Sequence, residues 1–327
     1  MLPSPIKMTP EEGHAVSLMG GTISDVRDAL HAMEGSLILQ TIQGGVYSWR
    51  FKHPTVRDAF AAVIAEDREL MDIYLAGAPV DRLFGEVTCG DVGVEGVKVI
   101  IPEDRYELLI TRLESFDASG WDGARKLHRF LAYRCGPEFL RSYMARNPEF
   151  ILRLRVGSYL YLSSEVDVIV RLHEFGLLPE ERRVTVVAAI RELAVVTPDS
   201  GFLGEQIRSL LAPNEFEEIL GDVRSKLLTD LDTVISDWRG DFDENSTEDP
   251  ENHFDDLVMA LGDFREQLAE HLECVRHIDL ALAEIKDIIE ELRSFQPQEP
   301  DSDDFRGQIS GGGSDESSRS VFDDVDV

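Results

Sequence analysis

The stretch WRFKHPTVRDAF, residues 49–60, sets a histidine between an aromatic run and a proline that opens a helix. An imidazole at such a joint can donate to an anion, helped by the unpaired N–H groups of the helix start. The same ring can instead satisfy backbone groups where strand meets helix, and on the residues alone this structural role of His53 outweighs the anion site.

Three other groupings carry reactive residue types. DLALAEIK (279–286) contains an acid followed by E-x-K, the outline of a metal-dependent nuclease site. That chemistry needs carboxylates on adjoining strands that share a metal, whereas this segment lies in the most strongly periodic helical stretch of the chain. His271, Cys274 and His277 stand at i, i+3 and i+6. The two histidines face different sides of a helix, so His271 reads as a buried polar seam residue that fixes register rather than as a metal ligand. Arg125, Lys126, Arg129, Arg134, Arg141, Arg146, Arg153 and Arg155 make 122–155 basic, with Trp121, Tyr133, Phe139 and Tyr143 interleaved. A nucleic-acid surface has this composition, and so have solvated helix faces paired with neighbouring acids, the reading that the overall charge favours. A third arrangement lays the acidic C-terminal tail on this band as an internal inhibitor. The chain contains no G-x-S-x-G, H-E-x-x-H or dinucleotide-binding glycine fingerprint.

The elements that must position these residues are mainly α. MTPEEGHAVSLMG (8–20) and TISDVRDALHAME (22–34) read as two short helices, the second capped by Thr22 or Ser24. SLILQTIQGGVYSWRF (36–51) is a pair of β-rich runs around Gly44-Gly45, a hairpin signal. Pro54 then opens a helix that sets Val56, Phe60, Val63 and Ile64 on one face. Helix, helix, hairpin, helix is the order of a winged-helix domain, taken as residues 1–76. Residues 77–118 read as a small mixed α/β connector with one short strand before Pro102 opens a helix. Residues 119–212 form an irregular helical domain broken at Gly136-Pro137, Asn147-Pro148, Gly176 and Pro198.

Residues 213–295 read as a long α-hairpin. From Leu257 to Leu292, eleven positions advance by steps of four and three, and ten of them are apolar, His271 being the exception. That coiled-coil pattern predicts one helix over 254–295, about 60 Å long. Its expected partner over 214–238 spans about 37 Å. An apolar stripe at 280–295 is therefore left for another surface, or for self-association with a second copy. Residues 296–327 hold too few apolar side chains to offset ordering entropy and read as a disordered acidic tail.

The 327 residues, 43% hydrophobic, allow a sizeable core in two or three domains. The net charge of −31 is uneven: residues 1–200 carry 22 Lys/Arg against 29 Asp/Glu, and residues 201–327 carry 10 against 34. This acidity argues against general affinity for nucleic acid or anionic membranes. Cys89, Cys135 and Cys274 form no C-x-x-C pair, so free thiols in a reducing, cytoplasmic setting are expected. No signal segment opens the chain, and no apolar run approaches the ~20 residues that span a bilayer.

WRFKHPTVRDAFAAVIAEDRELMDIYLAG, followed by EVTCGDVGVEGVKVIIP, resembles the region after the ATPase core in bacterial STAND NTPases of the novel-STAND class. These are large signal-transducing switches, several of them linked to defence against phage. The preceding TISDVRDALHAMEGSLI is similar to the first helices of their winged-helix unit, so the resemblance covers about residues 10–105, and the final RSVFDDVDV looks like tails on such proteins. The family's ATPase module carries a P-loop, G-x-x-x-x-G-K-[ST], but no Gly-Lys pair occurs in this chain. The resemblance thus implies the non-catalytic, regulatory or sensor portion of a STAND-like switch, acting through protein–protein contacts and docking on an NTPase module in cis or in trans. It also implies that His53 can reach nucleotide phosphates, with ATP or ADP entering only through that module. The apolar stripe at 280–295 and Val321-Phe322 are the expected contact sites. The alternative is a winged-helix DNA-binding regulator. Against it, TISDVRDALHAME has one arginine among Asp25, Asp28, His31 and Glu34, where a recognition helix presents several donors.

Overall fold

The computed structural model describes residues 9–43, 46–94, 99–161, 163–243 and 249–295. The acidic segment 296–327 and the Gly44-Gly45 turn lie outside the described residues. Helices α1 (Pro10–Leu18) and α2 (Ile23–Met33) precede an antiparallel hairpin of β1 (Ile38–Gln43) and β2 (Val46–Phe51), and α3 (Pro54–Glu66) follows. Both leading helices open on reciprocal capping boxes. Thr9 Oγ1 accepts from the Glu12 N–H at 3.2 Å while Glu12 Oε2 accepts from the Thr9 N–H at 2.8 Å, and Thr22 pairs with Asp25 in the same way. Proline at the first position opens α3 without losing a helical hydrogen bond. Helix α3 runs no further than Glu66. It stops at Asp67, whose Oδ1 accepts from the Glu69 and Leu70 N–H groups at 2.8 and 3.1 Å and starts α4 (Arg68–Gly77).

Helix α5 (Val80–Glu86) leads into β3 (Val87–Cys89), which pairs in parallel with β4 (Val99–Ile101), so the connector holds two short strands where one was expected. Helices α6 (Tyr106–Glu114), α7 (Trp121–Arg134) and α8 (Pro137–Arg146) pack around them. The second edge of β3 is closed by the α7–α8 joint. The Gly136 N–H donates to the Cys89 carbonyl at 2.7 Å, and the Arg134 guanidinium donates to the Val87 carbonyl at 3.3 Å. A Cβ on Gly136 would lie 3.1 Å from that carbonyl, so glycine permits the approach. Cys89 and Cys135 face each other across this bridge, fully buried and unbonded. Around them Phe84 and Phe130 lie 5.2 Å apart, and Tyr106 and Phe139 5.1 Å apart.

The chain continues through α9 (Phe150–Arg153), α10 (Ser164–Glu174), which packs on α7, α11 (Glu180–Val196), α12 (Glu205–Arg208) and α13 (Pro213–Asp222). One apolar cluster of buried residues runs from Ile64 to Leu292. His128 on α7 is buried in it, 3.4 Å from Ser164 Oγ.

The C-terminal third departs from the sequence expectation. Helix α13 passes through a π-helical turn at Val223–Leu227 before α14 (Leu231–Asp241). The single helix expected over 254–295 is two helices, α15 (Pro250–Gln267) and α16 (Leu272–Phe295), which pack against each other. No proline or glycine marks the corner. The reason is coverage, since a 60 Å helix needs a partner along its whole seam and folding back makes each half the partner of the other. The 280–295 stripe is consequently not open: Ile285, Ile288, Ile289 and Leu292 are buried, with α14 and α15 packed on α16. His271 is likewise not a buried seam residue, because it sits exposed at the corner.

Two outcomes follow. Ile285→Ala should destabilise the protein by about 2–5 kcal/mol, whereas Leu280→Ala, at 63% exposure, should change stability by no more than about 0.5 kcal/mol; urea melts of both variants check this. For His128, burial lowers the imidazole pKa, opposed by the Glu165 charge. Its folded form is therefore neutral, while the unfolded chain takes up a proton near pH 6.5. Stability is full above that pH and falls below it. Nearby Asp167, half-buried and raised by its burial, works in the opposite sense. Melting temperatures from pH 7.5 to 5.5 should fall more steeply for the native chain than for His128→Leu, which keeps Asp167.

Candidate functional site

His53 is the N-cap of α3, with an extended backbone (φ −142°, ψ 144°). Its Nδ1 accepts from the Thr55 N–H at 3.3 Å and lies 2.8 Å from Thr55 Oγ1. A neutral ring that accepts at Nδ1 carries its proton on Nε2. The ring is exposed. The joint is held from the other side by Lys52, whose backbone N–H donates to the Leu37 carbonyl at 2.8 Å and whose ammonium donates to the Gly35 carbonyl at 2.7 Å. The histidine thus acts as a backbone cap and keeps one outward donor.

Beside it lies a surface that the sequence did not disclose. Pleating puts Ile38, Gln40 and Ile42 on one face of the hairpin, with Phe51 and Trp49 as cross-strand neighbours of Ile38 and Gln40. Helix α2 covers part of this face through His31, whose ring meets Trp49 edge-on at 5.8 Å. Phe60 of α3 reaches Phe51 at 5.7 Å. Coverage ends there: Ile42 is 63% exposed, Phe60 54% and Val63 52%. In the described part of 9–66 only Ile38 and Ile64 are buried. The face expected to carry Val56, Phe60, Val63 and Ile64 inward buries Ile64 alone. The unit is tied to the body by α1 on α4, where a Cβ on Gly77 would fall 2.5 Å from the Ala15 methyl, and by α3, which packs on α4 and β4.

The other sequence candidates resolve as follows. DLALAEIK lies on α16, and Asp279 pairs with Arg265 at 2.6 Å. His271 and His277 are exposed and Cys274 is partly buried; among the described residues no group of three His, Cys, Asp or Glu side chains could hold a metal. Part of the basic band is paired with acids or stacked on a ring. Lys126 meets Asp122 and Asp81, Arg146 meets Glu107 and Glu114, Arg141 meets Glu138, and Arg125 stacks 4.5 Å over Trp121. No helix among the described residues is long and apolar enough to cross a membrane.

A second feature joins residues far apart in sequence, and no local signal marks it. An open groove of about 1080 Å³ runs between the 199–204 loop, α13 with its π-helical turn, and the α15–α16 corner. Arg224 from the π turn and His271 from the corner meet across one end at 2.5 Å, with the imidazole Nε2 accepting. Compared with family models, curated proteins and solved structures, the chain matches none.

The cap geometry predicts a specific substitution pattern at His53. His53→Ala should weaken the start of α3 by about 1 kcal/mol, while His53→Asp, which offers an acceptor in the same place, should retain it. Amide exchange at Thr55 and Val56 reads the difference.

Proposed function

We propose that this chain is a non-catalytic regulatory protein that docks its N-terminal unit on a protein partner, as the winged-helix, sensor-side portion of a STAND-like switch. One observation carries the reading: residues 9–66 form helices and a hairpin yet leave Phe51 and Phe60 in contact and exposed, with Val63 exposed one turn further along α3 and Ile42 exposed on the hairpin. Single exposed apolar residues are ordinary, but a clustered patch marks an interaction surface. The order of elements, two helices, a hairpin and a third helix, agrees with a winged helix, and the partner the resemblance implies is a P-loop NTPase module. On such a module the exposed Nε2 side of His53 would stand at the contact edge, available to a nucleotide phosphate. ATP or ADP then belongs to the partner, the setting is cytoplasmic, and a role in antiviral defence follows from the family.

The DNA-binding alternative finds less support. On α2 Arg27 is the one Lys or Arg, and the His31 ring is engaged with Trp49 and Glu34.

The test is capture from the native host with the full chain as bait. The expected result is recovery of a protein that carries G-x-x-x-x-G-K-[ST], with recovery reduced at least tenfold for Phe60→Asp and unchanged for Leu152→Asp, an exposed apolar position on another element. Equal recovery by both variants, or salt-sensitive duplex DNA binding by the chain, would overturn the docking role.

A further inference from the structure

We infer that the groove between the 199–204 loop and the α15–α16 corner docks a cationic, amphipathic polypeptide segment of a partner protein. This inference uses a different surface from the N-terminal unit and stands without it.

The groove is preformed. The buried Asp199 carboxylate accepts from the Leu160 and Gly201 N–H groups at 2.6 and 2.7 Å and shapes the loop. Ser200 Oγ donates to Asp263 at 2.6 Å and pins the loop to α15. Tyr161 Oη donates to Asp256 at 2.5 Å and pins the neighbouring segment to the same helix. An occupant therefore finds the walls already ordered, and little ordering cost falls on binding.

The lining sets the chemistry. Leu203, Leu220 and Leu268 give the groove an apolar floor, and Glu217, Glu266 and Glu270 stand on its rim from three different segments. Among the described residues none of these three carboxylates has an ion-pair partner. Arg224, the one Lys or Arg of the lining, is engaged on His271. An apolar floor beneath an acidic rim is complementary to a helix or strand that offers aliphatic anchors flanked by Lys or Arg. The volume, about 1080 Å³, lies at the upper end of the ~300–1,000 Å³ of most small-molecule sites, and the groove is partly open to solvent. That favours a chain segment over a compact ligand. The excess of 34 acidic over 10 basic residues in 201–327 would steer such a segment inward.

The experiment uses the full chain and a fluorescein-labelled, 14-residue Leu/Lys amphipathic helix, read by anisotropy, with its Leu/Glu counterpart and spermine alongside. Saturable one-to-one binding of the Leu/Lys peptide alone is expected. The double variant Glu217→Lys/Glu266→Lys should weaken it about tenfold, and Leu203→Asn should weaken it as well. Asp287→Lys/Glu290→Lys, the same charge change on α16 away from the groove, should leave it within about twofold. Thermal melts confirm that each variant is folded. Absence of binding, equal weakening by both charge pairs, or full displacement by spermine with no effect of Leu203→Asn would each overturn the inference, the last in favour of a polyamine site.

Discussion

An apolar stripe on a helix is stable only where something covers it, and the C-terminal third of the chain meets that requirement with its own residues. Leu257, Leu261 and Phe264 of α15 share a core with Ile278, Ile285 and Leu292 of α16, and α14 adds Leu231 and Ile235. Ion pairs hold the far end: Arg293 bonds Asp249 and Glu251, and Arg239 bonds Glu291 at 2.8 Å. The fold-back has a second consequence. It turns Leu268–His271 into a surface corner, which places Glu270 on a rim and His271 opposite Arg224. Had the seam run straight through, neither the corner nor the groove beside it would exist.

Charge is arranged by the same geometry. In a chain with so few bases, arginine serves as a clamp between elements. Arg183 reaches Glu180, Glu215 and the Leu210 carbonyl at once, and Arg191 reaches Asp222 and Glu218. The guanidinium beside each holds the Glu215 and Asp222 carboxyls below the usual range. Beyond residue 200, Arg208 lies on the Phe216 ring, Lys226 on Asp222, Arg239 on Glu291, Arg265 on Asp279 and Arg293 on Asp249. Most of the described bases beyond residue 200 are thus engaged, and among the described residues Glu217, Glu266 and Glu270 have no ion-pair partner.

Local chemistry made much of this legible in advance. The Thr22 cap, the helix-opening Pro54 and the hairpin signal mark elements up to residue 66, and the cap and the proline each lie where a helix start leaves backbone groups to be satisfied. Asp67 carries an equally local cap signal, which the continuous helical periodicity around it concealed. The parallel pairing of β3 and β4 was not legible, since three-residue strands have no period and pair according to what packs on them. The corner at 268–271 was hidden for a related reason: a four-three repeat describes a covered stripe equally well whether the partner is another chain or the next half of the same helix. As for the sites, the position of His53 at a joint could be read from sequence. The open face beside it could not, because spacing fixes which residues share a face but not whether anything covers it.

The contrast between the two ends of the molecule bears on what the N-terminal unit is built for. The body packs dozens of side chains into one cluster, while 9–66 adds only Ile64 to it and relies on capping boxes, a two-stranded hairpin and the contacts of α1 and α3 with α4 and β4. A unit with two buried residues cannot hold its fold on its own core, and a two-stranded hairpin gains little from its ladder alone. Phe51 and Phe60 already touch, so the patch is not a frayed surface but an ordered one that stops halfway. The free energy that would complete it is that of burying those two rings together with Val63, several kcal/mol at the usual value for apolar area. A partner that supplied this contact would stabilise the unit and would approach the exposed edge of His53 at the same time, because cap and patch share the first turns of α3. Order in the hairpin and access to the imidazole are therefore coupled by position, and a change at one should be felt at the other.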